Sequence, residues 1–404
     1  MKLLYFHQHF STPSGSTGIR SYMMARRLIN AGHEVIMICG RYDGGKTGLE
    51  DEFVNGQRRG KVNGIEIIEF DLSYSNKDNY LKRSSTFLTY SIKCIGLLFK
   101  EEYELVIASS TPLTAGIPGI VAKWLKKKPF VFEVRDLWPE LPKSLGVIKN
   151  PLILSLMKLL EWLSYKSADH MIALSPGIVD GIAKRNISPN KITLIPNGSD
   201  LEFCLNTKKG WKPAGINDED LVAVFAGTHG YANGLSSIIE TALELNERNE
   251  TRIKFVLIGD GANKRKLMEI AKEHKLENIV FHPPVNKKQL FKLFASADLG
   301  MQILANNPSF YFGTSPNKFF DYIAAGLPVI TNYPGWISDL IAEYHCGFTV
   351  EPENPHAFAD KLQEISRKRK QLAKMRENSK LLAIQKFNRE KLSLKFLNVI
   401  EQCK

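Results

Sequence analysis

The stretch Leu221-Val222-Ala223-Val224-Phe225-Ala226-Gly227-Thr228-His229-Gly230 decides the reading of the fold. A continuous apolar run of this length suits a strand buried on both faces, as in a parallel sheet. A Gly-containing turn follows at once, and beyond Asn233-Gly234 the apolar residues recur at helical spacing. That is one βα unit, and the theme repeats along the chain. Downstream, strands are predicted at 255–258, 279–281, 299–301, 328–331 and 347–350, with charged helical sequence from Pro355 onward. Upstream they are predicted at 3–7, 34–39, 105–108, 130–134, 171–174 and 192–195. Val62-Asn63-Gly64-Ile65 reads as a hairpin that adds antiparallel strands at one edge.

The theme stops at Ile195-Pro196-Asn197-Gly198-Ser199-Asp200 and a polar stretch through Lys208-Lys209-Gly210, then restarts at Leu221. The expected fold is therefore α/β, two doubly wound Rossmann-like domains facing a central cleft. The first covers residues 1–198, with a C-terminal helix of about 387–404 packing back on it, and the second covers 199–386. A chain of 404 residues is long enough for two such cores.

Composition narrows the classes. With 44% apolar and 24% charged residues the usage is globular, which excludes disordered, collagen-like and coiled-coil chains. Five scattered cysteines without C-x-x-C spacing argue against a disulfide framework or a zinc site and suit free thiols in a reducing cytoplasm. No export signal opens the sequence, and the longest apolar stretch, Pro151 to Leu163, is too short to span a bilayer. The expected location is cytoplasmic, peripheral on the inner face of the plasma membrane. A net charge of +12 favours an anionic partner. No zinc-finger, RRM or basic-zipper pattern is visible, so nucleic acid is not expected. Tyr80 to Phe99 and Pro151 to Tyr165 combine apolar residues with Lys and Arg, which fits an anionic lipid surface and fits core helices equally.

In doubly wound sheets ligands sit beyond the carboxyl ends of the strands. After the first strand, Gly15-Ser16-Thr17-Gly18 precedes a helix, a place where a phosphate could meet backbone N–H groups, or a plain turn. Thr228, His229 and Asn233 follow the strand quoted above and can face a diphosphate, or form an ordinary strand-to-helix turn. Arg135 and Asp136 follow the strand ending at Val134, as a salt bridge or as a seat for an acceptor hydroxyl. Gly313 to Gly326 holds the clearest constellation: Ser315 as N-cap, Pro316 at the first helical position, about three helical turns, and Gly326 past the end. On that helix Phe319, Phe320 and Ile323 share one face, while Asn317, Lys318 and Asp321 share the other. A pyrophosphate at its N-terminus would meet free N–H groups and Lys318, leaving Asp321 for ribose hydroxyls; a capped core helix with solvated polar residues fits the same pattern. Asp218-Glu219-Asp220 matches D-x-D but precedes a strand, so it reads as an exposed turn and not a metal site. No G-x-G-x-x-G follows the first strand, which disfavours an NAD oxidoreductase.

In order, the Gly-rich first loop, Asn197-Gly198, Phe225 to His229, Ile258-Gly259-Asp260-Gly261 and Thr314 to Gly326 resemble GT-B glycosyltransferases of family 4. Arg135-Asp136-Leu137-Trp138-Pro139-Glu140 is similar to the bacterial WbuB-like subgroup of O-antigen and capsule assembly. The resemblance implies a UDP-sugar donor, with an N-acetylated hexosamine or deoxyhexosamine, held by the second domain. It implies an undecaprenyl-diphosphate-linked or other glycan acceptor held by the first, retention at the anomeric carbon, and no metal or other cofactor. Asp321 corresponds to the second acid of the family's E-x7-E motif, the ribose contact, while Gly313 stands at the first acidic position. Lys318 then serves the leaving diphosphate, and Arg135 and Asp136 orient the acceptor. A UDP-sugar 2-epimerase of the same architecture and a non-catalytic basic membrane protein are the rival readings.

Overall fold

The computed structural model describes residues 1–75, 78–205 and 210–403. The chain divides into two compact units, Met1–Asn197 with Phe312–Ser315 and Glu390–Lys404, and Gly198–Tyr311 with Pro316–Arg389. Lys208 and Lys209 of the polar stretch lie outside the described residues.

The first unit is built on strands β1 (Lys2–Phe6), β2 (Glu34–Tyr42), β3 (Gln57–Val62), β4 (Ile65–Tyr74), β5 (Leu105–Ser109), β6 (Phe130–Val134), β7 (His170–Ala173) and β8 (Ile192–Leu194). They form one sheet in the order β3-β4-β2-β1-β5-β6-β7-β8. All named pairings are parallel except β3 with β4, where Val62 opposes Ile65 across the Asn63-Gly64 turn. Helices α1 (Arg20–Asn30), α2 (Tyr80–Leu97), α3 (Gly116–Leu125), α4 (Glu140–Ser144), α5 (Pro151–Ser167) and α6 (Pro176–Ala183) connect them. Covered on both sides, Leu3 to Phe6, Val106 to Ala108 and Phe130 to Phe132 are buried without a polar alternation. Sequence order turns around β1, with β2 on one side and β5 on the other.

One buried ion pair ties this unit together. Arg20, on the first turn of α1, donates from Nε to Glu133 of β6 at 2.9 Å, and from its Nη atoms to the carbonyls of Ile195 and Pro196. Ser109 donates to the other oxygen of Glu133 at 2.7 Å. Burial pushes the Glu133 carboxyl up, but Arg20 and Arg135 outweigh it and hold the group ionised, below its ordinary value.

The second unit contains α7 (Leu201–Leu205), β9 (Leu221–Ala226), α8 (Ser236–Glu247), β10 (Ile253–Ile258), α9 (Lys264–Glu273), β11 (Ile279–His282), α10 (Lys287–Phe294), β12 (Leu299–Gln302) and α11 (Pro308–Tyr311). It continues with α12 (Asn317–Ala324), β13 (Val329–Thr331), α13 (Trp336–Glu343), β14 (Gly347–Thr349), α14 (Pro355–Arg367) and α15 (Arg369–Lys386). Its six strands are all parallel, in the order β11-β10-β9-β12-β13-β14, so this sheet reverses beside β9. The last helix, α16 (Arg389–Gln402), belongs from Glu390 onward to the first unit, where Phe396 lies 6.3 Å from the Tyr5 ring.

Three local expectations need correction. α12 has eight residues, about two turns instead of three, and Pro316 occupies its N-cap position with no side chain capping it. Ser315 is not the cap, because its hydroxyl accepts from the Asn197 N–H at 3.0 Å and its carbonyl from the Asn197 side chain at 2.6 Å. The other end follows the sequence: Gly326 has φ +71, its N–H bonds the Ile323 carbonyl and that of Leu327 the Tyr322 carbonyl, a Schellman stop.

The Arg20–Glu133 pair yields a stability prediction. Arg20→Met should cost about 3–5 kcal/mol in denaturant unfolding because it strands a buried carboxylate, and adding Glu133→Leu should recover most of that loss.

Candidate functional site

The reversal of the second sheet places two loops together at the carboxyl ends of β9 and β12. Ala305 donates its N–H to the Ala232 carbonyl at 3.0 Å, and a Cβ on Gly234 would stand 2.7 Å from Ala305 backbone atoms. The loops are thus in van der Waals contact. Gly259 closes the floor in the same way, since a Cβ there would lie 1.8 Å from the Gly227 carbonyl oxygen.

Into this place α12 sends Lys318. Its ammonium donates to Asn233 Oδ1 at 2.5 Å and stands 4.4 Å from the Phe225 ring centre. Asn233 Nδ2 in turn donates to the Thr228 carbonyl at 2.8 Å, which fixes the amide's orientation. The structure therefore brings Lys318, Asn233 and Thr228 together. Among the described residues no carboxylate pairs with Lys318. Burial without a counter-charge pulls its amine down to about 7. The first turn of α12, with no side-chain cap, adds N–H groups and the positive end of the helix dipole.

His229 and Asp321 depart from the sequence expectation. The His229 ring is fully buried, 6.0 Å from Phe225 and 6.3 Å from Phe281. Burial lowers its pKa to about 4, so the ring is neutral near pH 7. Its work is in the backbone, where its N–H bonds the Asp260 carbonyl and its carbonyl accepts from Asn263, both at 2.9 Å. Asp321, expected on the open face beside Lys318, is instead buried against α10, with Lys287 Nζ 2.9 Å from Oδ1. Lys287 also pairs with Asp200, whose carboxylate is held by Arg389 as well. Burial raises the Asp321 pKa above the usual carboxylate range even though Lys287 opposes the shift. Two cations and two anions form a closed cluster. Asn317 is half-buried at the start of α12.

In the first unit the reversal beside β1 gathers different chemistry. Arg135 donates from Nη1 to His7 Nε2 at 2.9 Å, and His7 Nδ1 lies 2.6 Å from the Ser21 hydroxyl. Arginine has only donors, so Nε2 accepts and the ring proton sits on Nδ1. Burial, then Arg135, hold His7 well below its ordinary pKa, and the neutral ring aims the guanidinium. Asp136 accepts from the Thr111 hydroxyl at 2.8 Å, so Arg135 and Asp136 do not pair with each other. The Gly15–Gly18 loop folds on Gly44: the Ser16 N–H bonds the Gly44 carbonyl at 2.9 Å, and a Cβ on Gly15 would meet Ser11 Oγ at 2.3 Å. Gly15 is buried, Ser16 and Gly18 are exposed and Thr17 is half-buried.

Comparison with known proteins agrees with this architecture. Residues 18–203 match the family model described as Glycosyltransferase Family 4, and residues 208–382 match Glycosyl transferases group 1, between them most of the chain. The chain is a glycosyltransferase of the GT-B fold. An uncharacterized glycosyltransferase of Methanocaldococcus jannaschii is 24% identical over 357 residues, 85% of this chain and 83% of that protein. Among solved structures, sucrose-phosphate synthase from Thermosynechococcus elongatus superposes with a TM-score of 0.75 at 16% identity, over 99% of this chain and 98% of that one. Anabaena HepE in complex with UDP gives 0.69 at 17% identity over the full length of both.

Reasoning from sequence missed three functional-site neighbours of this glycosyltransferase: Lys287, Asp200 and Arg389. No spacing links them, since they come from the start of α10, the entry to the second unit and its last residue. The acidic turn Asp218-Glu219-Asp220 is engaged in local contacts, Asp218 with Lys212 and Asp220 with the Asn217 N–H. No group of His, Cys, Asp or Glu suited to a metal occurs among the described residues.

An amine near neutrality is measurable. In 13C NMR of reductively methylated protein, one lysine should titrate close to pH 7, and that resonance should be missing from the Lys318→Met variant. Because the folded-state pKa is depressed, the stability penalty of the charged amine is present below about pH 7 and is relieved as pH rises from there.

Proposed function

We propose that this enzyme transfers a sugar from a UDP-sugar to a hydroxyl of a polysaccharide precursor, with retention at the anomeric carbon and without a metal ion. The observation that carries the reading is Lys318, a half-buried amine with an amide partner and, among the described residues, no carboxylate, beside an uncapped helix N-terminus at the sheet reversal. A diphosphate supplies the negative charge that this arrangement lacks. The UDP held by the Anabaena structure of the same fold supports a uridine nucleotide. The acceptor belongs to the first unit, where Arg135 and Asp136 are steered by His7 and Thr111 into fixed directions. A lipid-linked glycan of surface-polysaccharide assembly fits the resemblance of the Arg135–Glu140 run.

In the reaction the bond from the sugar's anomeric carbon to the diphosphate oxygen breaks while the bond to the acceptor oxygen forms on the same face. The acceptor's proton passes to the leaving phosphate oxygen. No unpaired carboxylate stands with Lys318 to serve as a base among the described residues. Negative charge grows on the diphosphate as the sugar acquires oxocarbenium character. Lys318 and the first-turn N–H groups of α12 oppose that charge where water is scarce, a contribution of about 3–4 kcal/mol per important donor. Asp321 reaches a ribose hydroxyl only if the nucleotide draws it from Lys287, and its pairing with Lys287 sets the cost of that exchange.

A thermal-shift screen of UDP, GDP, ADP and CDP tests the donor assignment. UDP should raise the melting temperature most, and an absence of stabilisation by every nucleotide would refute it. Lys318→Ala should lower kcat by roughly 10²–10³ with a smaller change in donor affinity. Calorimetry at pH 8 in buffers of different ionisation heat should show uptake of about one proton on UDP binding, lost in Lys318→Met, because the diphosphate raises an amine that otherwise titrates at about 7.

A further inference from the structure

Helices α2, α3 and α5 lie side by side, α2 packing on α3 and α3 on α5. Each links strands progressing in the same direction across the first sheet, from β4 to β5, β5 to β6 and β6 to β7, so right-handed crossovers put all three on one face. Their inner sides fill the core. The outer side of α5 is apolar as well: Leu152 is 68% exposed, Leu156 58%, Leu159 52% and Trp162 45%. At 100° per residue these positions fall within one stripe about a third of the helix circumference wide. Beside it, at the end of α3, Trp124 and Leu125 are 57% and 69% exposed. The Trp124 indole N–H donates to Ser167 Oγ at 2.9 Å, which fixes the ring next to the end of α5.

Charge on these three helices is almost entirely positive, and at their ends Asp169 is paired with Lys123 while Glu102 is exposed. Within α2, α3 and α5 the only carboxylate is Glu161, and it is buried and bound to Arg185 at 2.8 Å. Lys158 and Lys166 are exposed on α5. Just past α3, the Lys126 ammonium stands 4.8 Å from the Phe99 ring and that of Lys127 6.0 Å from the Trp124 ring. Exposed helices of soluble proteins ordinarily interleave both signs and bury their leucines. A second copy of the same face would bring lysine against lysine.

We propose that the outer face of α5, with the Trp124-Leu125 tip and its lysines, docks on an anionic lipid bilayer. The leucines and tryptophans enter the boundary between headgroups and acyl chains, and the lysines meet lipid phosphates. Docking deepens the reading above, because α5 begins at the carboxyl edge of the sheet, the edge that holds Arg135 and Asp136. An acceptor carried by a membrane lipid then meets the first unit from the surface on which that unit rests.

Co-sedimentation of the full chain with vesicles tests this. Phosphatidylcholine vesicles containing about one third phosphatidylglycerol should bind the protein at low salt, bind it less at high salt, and outcompete pure phosphatidylcholine. Leu156→Glu with Leu159→Glu should weaken that partition by roughly tenfold or more, whereas Met268→Glu, an exposed apolar position of the second unit, should leave it unchanged. Circular dichroism and the UDP-induced thermal shift should be the same in all three proteins. No binding by the wild type at low salt, or equal binding by the double variant, would overturn the proposal. So would sedimentation velocity showing a wild-type dimer that the double variant dissolves. Loss of the UDP response alone would count against the donor assignment and leave the membrane face standing.

Discussion

A parallel sheet can be covered on both faces only if its crossover helices change side, and ligand sites lie at the carboxyl ends of the strands where the side changes. Both units of this glycosyltransferase are organised by that constraint. In the first the change falls beside β1, and in the second beside β9. Strand interiors there carry no chemistry, being runs such as Leu3 to Phe6 and Leu221 to Phe225 that are buried throughout. Arg135 and Asp136 stand one and two residues beyond β6, Thr228 two beyond β9, and Lys318 on the first turn of α12.

How each charge is balanced separates structural from functional groups. Arg20 and Glu133 satisfy each other, with two carbonyls and a serine completing the arrangement. Asp200, Lys287, Arg389 and Asp321 close on themselves with equal numbers of each sign. Lys318 is different, since burial lowers its amine and no carboxylate among the described residues restores it. A half-buried cation without an anion costs more to hold than one paired with a carboxylate. His7 illustrates the opposite use of burial, in which a histidine stays neutral so that it can accept from Arg135.

The α2–α3–α5 layer shows a further division of labour within the first unit. Its inner side is ordinary core, while its outer side keeps apolar residues without any exposed carboxylate. The same sequence pattern reads as core helices or as a lipid face, and exposure alone separates the two.

Much of the architecture was legible in the sequence, because apolar runs, Gly turns and amphipathic spacing are local signals. The strands from β1 to β14 fall close to the predicted stretches, and the Asn63-Gly64 hairpin and the Gly326 stop form as read. Lys318, Thr228 and Asn233 could be nominated because each follows a strand or opens a helix. Their union through one amide could not, nor could the capture of Asp321 by Lys287, the burial of His229, or the use of Ser315 by Asn197 instead of by α12. The chain by itself determined which residues are strand, turn and helix, since those choices rest on backbone dihedrals and local burial. Tertiary structure alone decided which charges are satisfied, because a partner such as Lys287 or Arg389 is brought to Asp200 across roughly a hundred or two hundred residues by packing, and no spacing rule records it.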